Sequence, residues 1–219
     1  MKTFEQLLQN VEEVHELASL TAKGAVNQML TARNWAIGYY IVEFEQDGQD
    51  RADYGSALLT KLADKLNIKG LDRQMLSSCR TFYKKYPQMC GTVSRKLQAA
   101  GGASNLLTTI QTALPDPEEK ETENAAAEIC GTASRKFEMD PELLITRLSF
   151  SHLKEIMALD DPMERFFYEL ECIKGVWSVR ELRRQIDTKL FISAGISKNP
   201  ELLIDKIESS GYNTALSVK

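Results

Sequence analysis

The sequence predicts a mostly α-helical, multi-helix domain with helix-turn-helix character. Apolar residues recur at steps of three and four over most of the 219 residues, which is the spacing of one buried helix face. Hydrophobic residues make up 43% and charged residues 26%, the balance of an ordinary folded domain with its own core. Two pairs of predicted helices are each joined by a short turn that contains glycine, which is the helix-turn-helix pattern.

The first part of the chain, up to Pro87, divides into helices and turns. The apolar spacing predicts four helices, at about residues 3–19, 22–46, 55–67 and 72–86. A polar turn at 46–50 separates the second from the third, and a turn containing Gly70 separates the third from the fourth. Pro87 ends the fourth helix, because proline disfavours helical backbone in the residue before it.

The second part of the chain begins with the less regular stretch 88–145. Its acidic segment 115–121 contains two prolines and is typical of an exposed loop, and the stretch as a whole has room for a small β wing. Helices are predicted again at about 151–158, 161–173 and 178–191. Ser178 and Glu181 have capping-box spacing, which marks the start of the last helix.

These elements indicate one helical domain at 1–192, in which 88–145 is a variable insert. A C-terminal tail or linker is expected at 193–219. The domain is long enough to bury a core without metals or disulfides, so we expect no cofactor and no metal.

Charge is distributed unevenly along the chain. The net charge is −4, which excludes a uniformly basic nucleic-acid binder. Residues 61–100, however, carry nine Lys or Arg and only two Asp or Glu, and acidic stretches flank them on both sides. A local basic surface is therefore predicted on the third and fourth helices.

Several protein classes are excluded by what the sequence lacks. The N-terminus is charged and amphipathic rather than a signal peptide, and no apolar run is long enough to cross a membrane. Cys79, Cys90, Cys130 and Cys172 form no CxxC pair, so a zinc ribbon is excluded and reduced, cytoplasmic thiols are expected. No nucleotide-binding loop, metalloprotease motif or catalytic triad occurs, and we predict no catalytic residue.

The predicted helix at 72–86 is the strongest candidate for binding DNA. The second helix of a helix-turn-helix enters the major groove, and two neighbouring polar stripes of this helix suit that role. The candidate residues are Arg73, Gln74, Ser77, Arg80, Thr81, Lys84 and Lys85. Arg and Gln can read base edges, so Arg73, Gln74 and Arg80 are placed there, with Lys84 and Lys85 on phosphates. The alternative is the solvated face of an ordinary bundle helix.

A second helix pair, at 161–191, repeats this pattern. Its second helix carries Arg180 and Arg184 one turn apart on the exposed side, and both are candidate DNA contacts. Arg183 has the spacing to pair with Asp187 instead. The alternative for this helix is packing against another subunit or a following domain.

Six blocks of the sequence resemble the N-terminal domain of the YhcG-like family. These blocks are residues 32–38, 51–55, 80–87, 148–152, 165–169 and 177–186. The last block, WSVRELRRQI, is the most specific of them. The resemblance implies a winged helix-turn-helix-like domain that is coupled, in the family, to a PD-(D/E)xK nuclease domain. We expect that nuclease domain to be absent from this chain, so no catalytic residue carries over.

The resemblance and the basic helix together predict a non-catalytic domain that binds or targets DNA, in DNA metabolism or in defence against foreign DNA. The expected partners are DNA, a second copy of the chain, and a nuclease domain or partner nuclease. The alternative is a protein-interaction or homo-oligomerisation module that does not bind DNA, in which the long N-terminal helices, with acidic outer faces, pair as a homodimer.

Overall fold

The structure, a computed structural model, describes residues 4–47, 57–100, 138–197, 199 and 202–203, and these contain helices and no β-strand. The helices are α1 (Phe4–Asp47), α2 (Leu58–Leu66), α3 (Arg73–Lys85), α4 (Cys90–Ala99), α5 (Pro141–Arg147), α6 (Phe150–Ile156), α7 (Pro162–Gly175), α8 (Val179–Asp187) and α9 (Leu190–Ser193). One turn of 3-10 helix, Pro87–Met89, joins α3 to α4. The prediction of a mostly α-helical fold is confirmed.

Helix α1 is a single helix of 44 residues, where the sequence predicted two. The expected break near residues 19–22 does not form, because nothing there interrupts a helix. The hydroxyl of Thr21 donates to the carbonyl of Leu17 at 2.8 Å, inside the helix. The nearby Gly24 is tolerated as an isolated glycine.

One further expectation stays a prediction, and one needs correction. Within the insert 88–145, the described residues form the end of the 3-10 turn, α4 and most of α5 without a β-strand, whereas residues 101–137, which also had room for the small β wing, lie outside the described part. The helix predicted over 178–191 ends at Asp187, and Lys189 then adopts a left-handed backbone with φ of 54° before α9 begins. The tail beyond residue 203 and the turn at 48–50 also lie outside the described residues.

The C-terminal half of α1 lies at the centre of the fold. Helix α3 packs along it, and α4, α5 and α6 also contact α1. Trp35 is fully buried, stacks on Tyr39 with ring centroids 6.2 Å apart, and meets the edge of Tyr83. Its indole N–H donates to the carbonyl of Tyr86 at 2.8 Å, so the largest core side chain is also satisfied as a donor.

Helix α7 forms the other half of the core. It buries an almost continuous run, Phe166–Ile173, in which only Glu171 is not buried, and α6, α8 and α9 pack around it. The hydroxyl of Tyr168 donates to the carbonyl of Gln185 at 3.2 Å, which fixes α8 on α7. None of the helices in the described ranges is long and apolar enough to cross a membrane.

The three described cysteines, Cys79, Cys90 and Cys172, are free and buried. Burial raises the pKa of the Cys79 and Cys172 thiols to about 11. Thiols held in the protonated form are poor nucleophiles, so these residues serve packing rather than chemistry.

Candidate nucleic-acid interface

Helices α2 and α3 are joined by a turn of six residues. Asn67 ends α2 in a left-handed conformation, and its N–H donates to the carbonyl of Ala63 at 3.0 Å. Gly70 has φ of +86°, which glycine adopts without strain. The carboxylate of Asp72 then caps α3 by accepting from the N–H of Met75 at 2.7 Å. Each end of the turn is therefore held by hydrogen bonds, which fixes where α3 begins.

The position of α3 is set by a close crossing with α1 at Gly38. A Cβ atom built on Gly38 would lie 2.0 Å from the carbonyl oxygen of Cys79, so the two backbones meet where only glycine fits. The inner face of α3 buries Leu76, Cys79 and Phe82 against α1 and its neighbours. Side chains on the outer face of α3 therefore project from a helix whose position is fixed by its packing on α1.

The N-terminal end of α3 and the preceding turn form an exposed basic surface. Arg73 and Gln74 are exposed at the first turn of α3, and Lys65 and Lys69 are exposed on the end of α2 and on the turn. None of the three cations forms an ion pair within 4.0 Å among the described residues. These four residues are called the α2–α3 basic tip.

The C-terminal half of α3 is different, because its cations already have partners. The Arg80 guanidinium lies 2.7 Å from the Glu45 carboxylate of α1, and the Lys84 ammonium lies 3.7 Å from the same group. The Lys85 ammonium donates to the carbonyls of Met157 and Leu159, at 2.7 and 2.8 Å. Burial, foremost, lowers the pKa of Lys85, and the positive charge of Arg165 adds to the effect.

The two hydroxyl residues of the candidate set lie at the middle of α3. Both Ser77 and Thr81 are half-buried, and the hydroxyl of Thr81 donates to the carbonyl of Ser77 at 3.0 Å. Their hydroxyls are therefore further from solvent than the side chains of Arg73 and Gln74. The seven candidates lie on one helix, but they divide into an exposed N-terminal group, two half-buried hydroxyl residues in the middle and an engaged C-terminal group.

An apolar cavity of about 1080 Å³ lies beside the basic tip. It is lined mainly by apolar side chains of α1, α2 and the turn, among them Phe44, Leu62 and Ile68. Such a lining suits apolar groups rather than phosphates.

One of the two candidates on α8 is engaged as well. The Arg184 guanidinium donates twice to the Glu181 carboxylate, at 2.6 and 3.1 Å. Arg183 does not hydrogen-bond to Asp187, as the spacing predicted, but to Glu155 of α6 at 2.6 and 3.3 Å. Arg180 is exposed, and it forms no ion pair with the described residues. Only one of the two α8 candidates therefore keeps an unmatched charge.

A buried polar contact joins the two helix pairs. The hydroxyl of Tyr86, just after α3, donates to the carboxylate of Glu169 in α7 at 2.5 Å. Desolvation by burial raises the pKa of Glu169 to about 7, although the Tyr86 hydrogen bond and Arg165 both act to lower it. Glu169 is thus a carboxyl that titrates near neutral pH inside the core.

His152 is structural in this fold. Its Nδ1 lies 2.8 Å from the Ser149 hydroxyl and accepts from the Ser149 N–H, which makes a capping box at the start of α6. Its Nε2 lies 3.0 Å from the carbonyl of Trp177, which can only accept, so Nε2 carries the proton. Burial lowers the pKa of His152, in keeping with a neutral ring.

Sequence reasoning did not select Lys65, Lys69 or the neutralising partner Glu45. The two lysines lie in the basic stretch 61–100, close to Gly70, which was a usable signal. Glu45 lies 35 residues before Arg80, so only the docking of α3 on α1 reveals the ion pair.

Comparison with known proteins gives two matches. Residues 10–111 and 132–193 match the family model described as the DUF1016 N-terminal domain. Over 208 residues the chain is 27% identical to the Escherichia coli (strain K12) protein named "Putative nuclease YhcG". The match covers 93% of this chain and 50% of that protein, so the chain spans about half the length of the curated relative it matches. No solved structure matches the chain.

Proposed function

Because this chain belongs to the DUF1016 N-terminal domain family, we propose that it is a DNA-binding, non-catalytic domain of a nuclease-related protein. One observation carries the proposal: the α2–α3 basic tip presents three exposed cations without ion-pair partners among the described residues, at the start of a helix whose position is set by the Asp72 cap and by the crossing with α1 at Gly38. The relation to a protein named as a nuclease supports DNA as the polyanion. The chemistry of strand cleavage is assigned to other parts of such a protein.

In the proposed complex, the N-terminal end of α3 enters the major groove. This is the end that the recognition helix of a helix-turn-helix presents to base edges. Arg73 and Gln74 are placed there, because Arg pairs with guanine and Gln with adenine. Lys65 and Lys69 are placed on the flanking phosphates. Ser77 follows one turn further along the same side of the helix.

The engaged cations have a secondary role in this proposal. Glu45 neutralises Arg80 and Lys84, and Lys85 binds backbone carbonyls, so a phosphate would have to compete with contacts already made. Thr81 has its hydroxyl bonded within the helix. Arg180 is proposed as an outlying phosphate contact and Arg184 as a weaker one, since Glu181 holds Arg184.

The test is fluorescence anisotropy of the whole chain on labelled duplex DNA, titrated at several salt concentrations. The wild-type chain is expected to bind with an affinity that falls steeply as salt rises. The variant Lys69→Ala/Arg73→Ala should bind at least about 10-fold more weakly, with a salt slope smaller by about 1 to 2. The reason is that it removes one phosphate contact and one base-edge contact.

A matched control removes the same amount of charge elsewhere. Arg95→Ala/Arg183→Ala also deletes two positive charges, but both guanidinium groups already lie within 4.0 Å of carboxylates, and neither residue is a proposed DNA contact. This control should bind within about threefold of the wild type. Equal losses of DNA affinity in the two variants would mean that net charge alone determines binding. Absence of salt-sensitive binding by the wild type would overturn the proposal.

A further inference from the structure

Glu45 lies on the face of α1 that meets α3. It follows Gly38, where the two backbones cross, by seven residues, and seven residues return to nearly the same side of a helix. One of its carboxylate oxygens lies 2.7 Å from the Arg80 guanidinium, and the other lies 3.7 Å from the Lys84 ammonium. Arg80 and Lys84 are four residues apart and so are neighbours on one side of α3. A single carboxylate of α1 therefore neutralises two cations of α3.

This contact is only partly buried. The accessible fraction is 27% for the side chain of Glu45, 34% for that of Arg80 and 55% for that of Lys84. Ion pairs with this exposure contribute little to stability, because water and salt screen them. The apolar inner face of α3 and the crossing at Gly38 already hold α3 on α1. The contact therefore has more effect on what can bind Arg80 and Lys84 than on the stability of the fold.

The last turn of α1 is an unfavourable place for a carboxylate. Residues 44–47 include Glu45 and contain no Lys or Arg. The C-terminal end of a helix carries partial negative charge, which disfavours a carboxylate in the same turn. Arg80 and Lys84 offset this repulsion. Because helix ends open more easily than helix centres, the last turn of α1 can release the two cations without disturbing the crossing at Gly38.

We propose that Glu45 makes an autoinhibitory contact with the DNA-binding helix. It keeps Arg80 and Lys84 from phosphates until DNA displaces its carboxylate, so the α2–α3 basic tip binds first and the second half of α3 binds afterwards. The contact withholds two cations from DNA, against the three that the basic tip presents. This inference rests on the proposed DNA-binding function, and it adds to that function the residue that limits the affinity.

The test is the DNA affinity of Glu45→Gln, which removes the charge and keeps the size of the side chain. In fluorescence anisotropy on labelled duplex DNA at low salt, this variant should bind at least about fivefold more tightly than the wild type. Its salt slope should be steeper by about 1 to 2, because two more cations contact phosphates. If the wild type shows salt-sensitive binding and Glu45→Gln has the same affinity and slope, this inference is overturned and the proposed function stands.

The matched control is Glu43→Gln, which removes the same charge two residues earlier on α1. Among the described residues, Glu43 forms no ion pair with α3. This control should bind DNA within about twofold of the wild type, since only the general negative charge near α3 is reduced. A gain in affinity as large as that of Glu45→Gln would show that charge density at the end of α1 limits binding, and would overturn the specific role of Glu45.

A double-mutant cycle tests which cations Glu45 withholds. Arg80→Ala/Lys84→Ala should weaken DNA binding several-fold more in the Glu45→Gln chain than in the wild-type chain, because only in the former are both cations free to bind phosphates. The same loss in both backgrounds would contradict the inference. Binding by Glu45→Gln without binding by the wild type would support it as complete inhibition. Absence of binding by both chains would overturn this inference together with the proposed function, and far-UV circular dichroism confirms that each variant keeps its helices.

Discussion

Two helix pairs that resemble each other in sequence differ in how many of their positively charged side chains form ion pairs. Both α2–α3 and α7–α8 end in a helix rich in Lys and Arg, and both second helices begin with a side-chain cap. In α8 two of the three arginines are paired with carboxylates, whereas the α2–α3 basic tip has no such partner among the described residues. The comparison teaches that a count of positive residues predicts a binding surface only after internal ion pairs are subtracted.

The same distinction appears within α3 itself. Arg73, in the N-terminal turn, forms no ion pair with the described residues. In the last turn, Lys84 lies near Glu45 of α1, and Lys85 donates to the carbonyl of Met157 at the end of α6. Both ends looked equally suitable as a DNA-contacting stripe from helical spacing alone. The docking of α3 on the rest of the fold makes the difference.

The largest expected effect tests how differently the two helix pairs tolerate an added methyl group. Gly38→Ala should destabilise the protein by at least about 3 kcal/mol, because the new methyl group would overlap the backbone of Cys79 at a position that cannot retreat. Gly175→Ala, at the end of α7, would instead meet the Trp177 side chain, 2.3 Å from its Nε1, and should cost about 1 to 2 kcal/mol. Urea unfolding of both variants gives the comparison, and similar losses would contradict it.

A smaller effect tests the contact between the pairs. Glu169 has a pKa of about 7 in the folded chain, above the ordinary value of 4.5, so the folded state binds more protons between these two values. Its contribution to stability is complete below about pH 4.5 and is lost as pH rises through 7. The loss is on the order of 3 kcal/mol. Glu169→Gln should therefore gain stability relative to the wild type between pH 5 and pH 8.

Urea unfolding at a series of pH values measures this effect. His152 acts in the opposite direction, because its lowered pKa makes stability fall as pH drops below about 6.5. The wild-type chain and Glu169→Gln should therefore be compared at each pH, because the wild-type curve alone contains both effects. Glu12→Gln, on the exposed helix, controls for the loss of one negative charge. A constant difference between wild type and Glu169→Gln across the series would refute the assignment.

The smallest effect concerns the two turns. The α2–α3 turn uses Gly70 at φ of +86°, whereas the α7–α8 turn places Val176, 86% exposed, at φ of 48°. A β-branched residue is strained in this region, so Val176→Gly should stabilise the chain by about 1 kcal/mol. Gly70→Ala should destabilise it by about the same amount. Thermal unfolding checks both, and a loss of stability in Val176→Gly would show that the valine makes a contact worth more than its strain.

Most of the fold could be predicted from local sequence signals. The inner face of α3, the capping residue Ser178 and the end of α3 before Pro87 all follow from spacing and side-chain chemistry within a few residues. The prediction of a helix break near residue 20 was wrong, because a weak sequence signal was interpreted as a helix end at a point where the helix continues. Helix boundaries depend on such small differences in propensity, whereas the helical class depends on the sum over many residues.

The candidate site was less predictable, since it depends on contacts between distant residues. Arg73 and Gln74 could be selected from sequence, because exposure of a helix start follows from local spacing. The pairing of Arg80 with Glu45 and the binding of Lys85 to Met157 could not be selected. Both are determined by how α3 crosses α1 and approaches α6, which the residues near α3 do not encode.

The length of α1 has a geometric consequence. At 1.5 Å per residue, its 44 residues extend for about 66 Å without a break, and Glu45, which contacts Arg80 of α3, lies close to its C-terminal end. The helix is therefore a continuous spacer between its N-terminal end and the residues that hold α3. Inserting one heptad before Thr31 would lengthen this spacer by about 10 Å and leave the contacts of α3 in place.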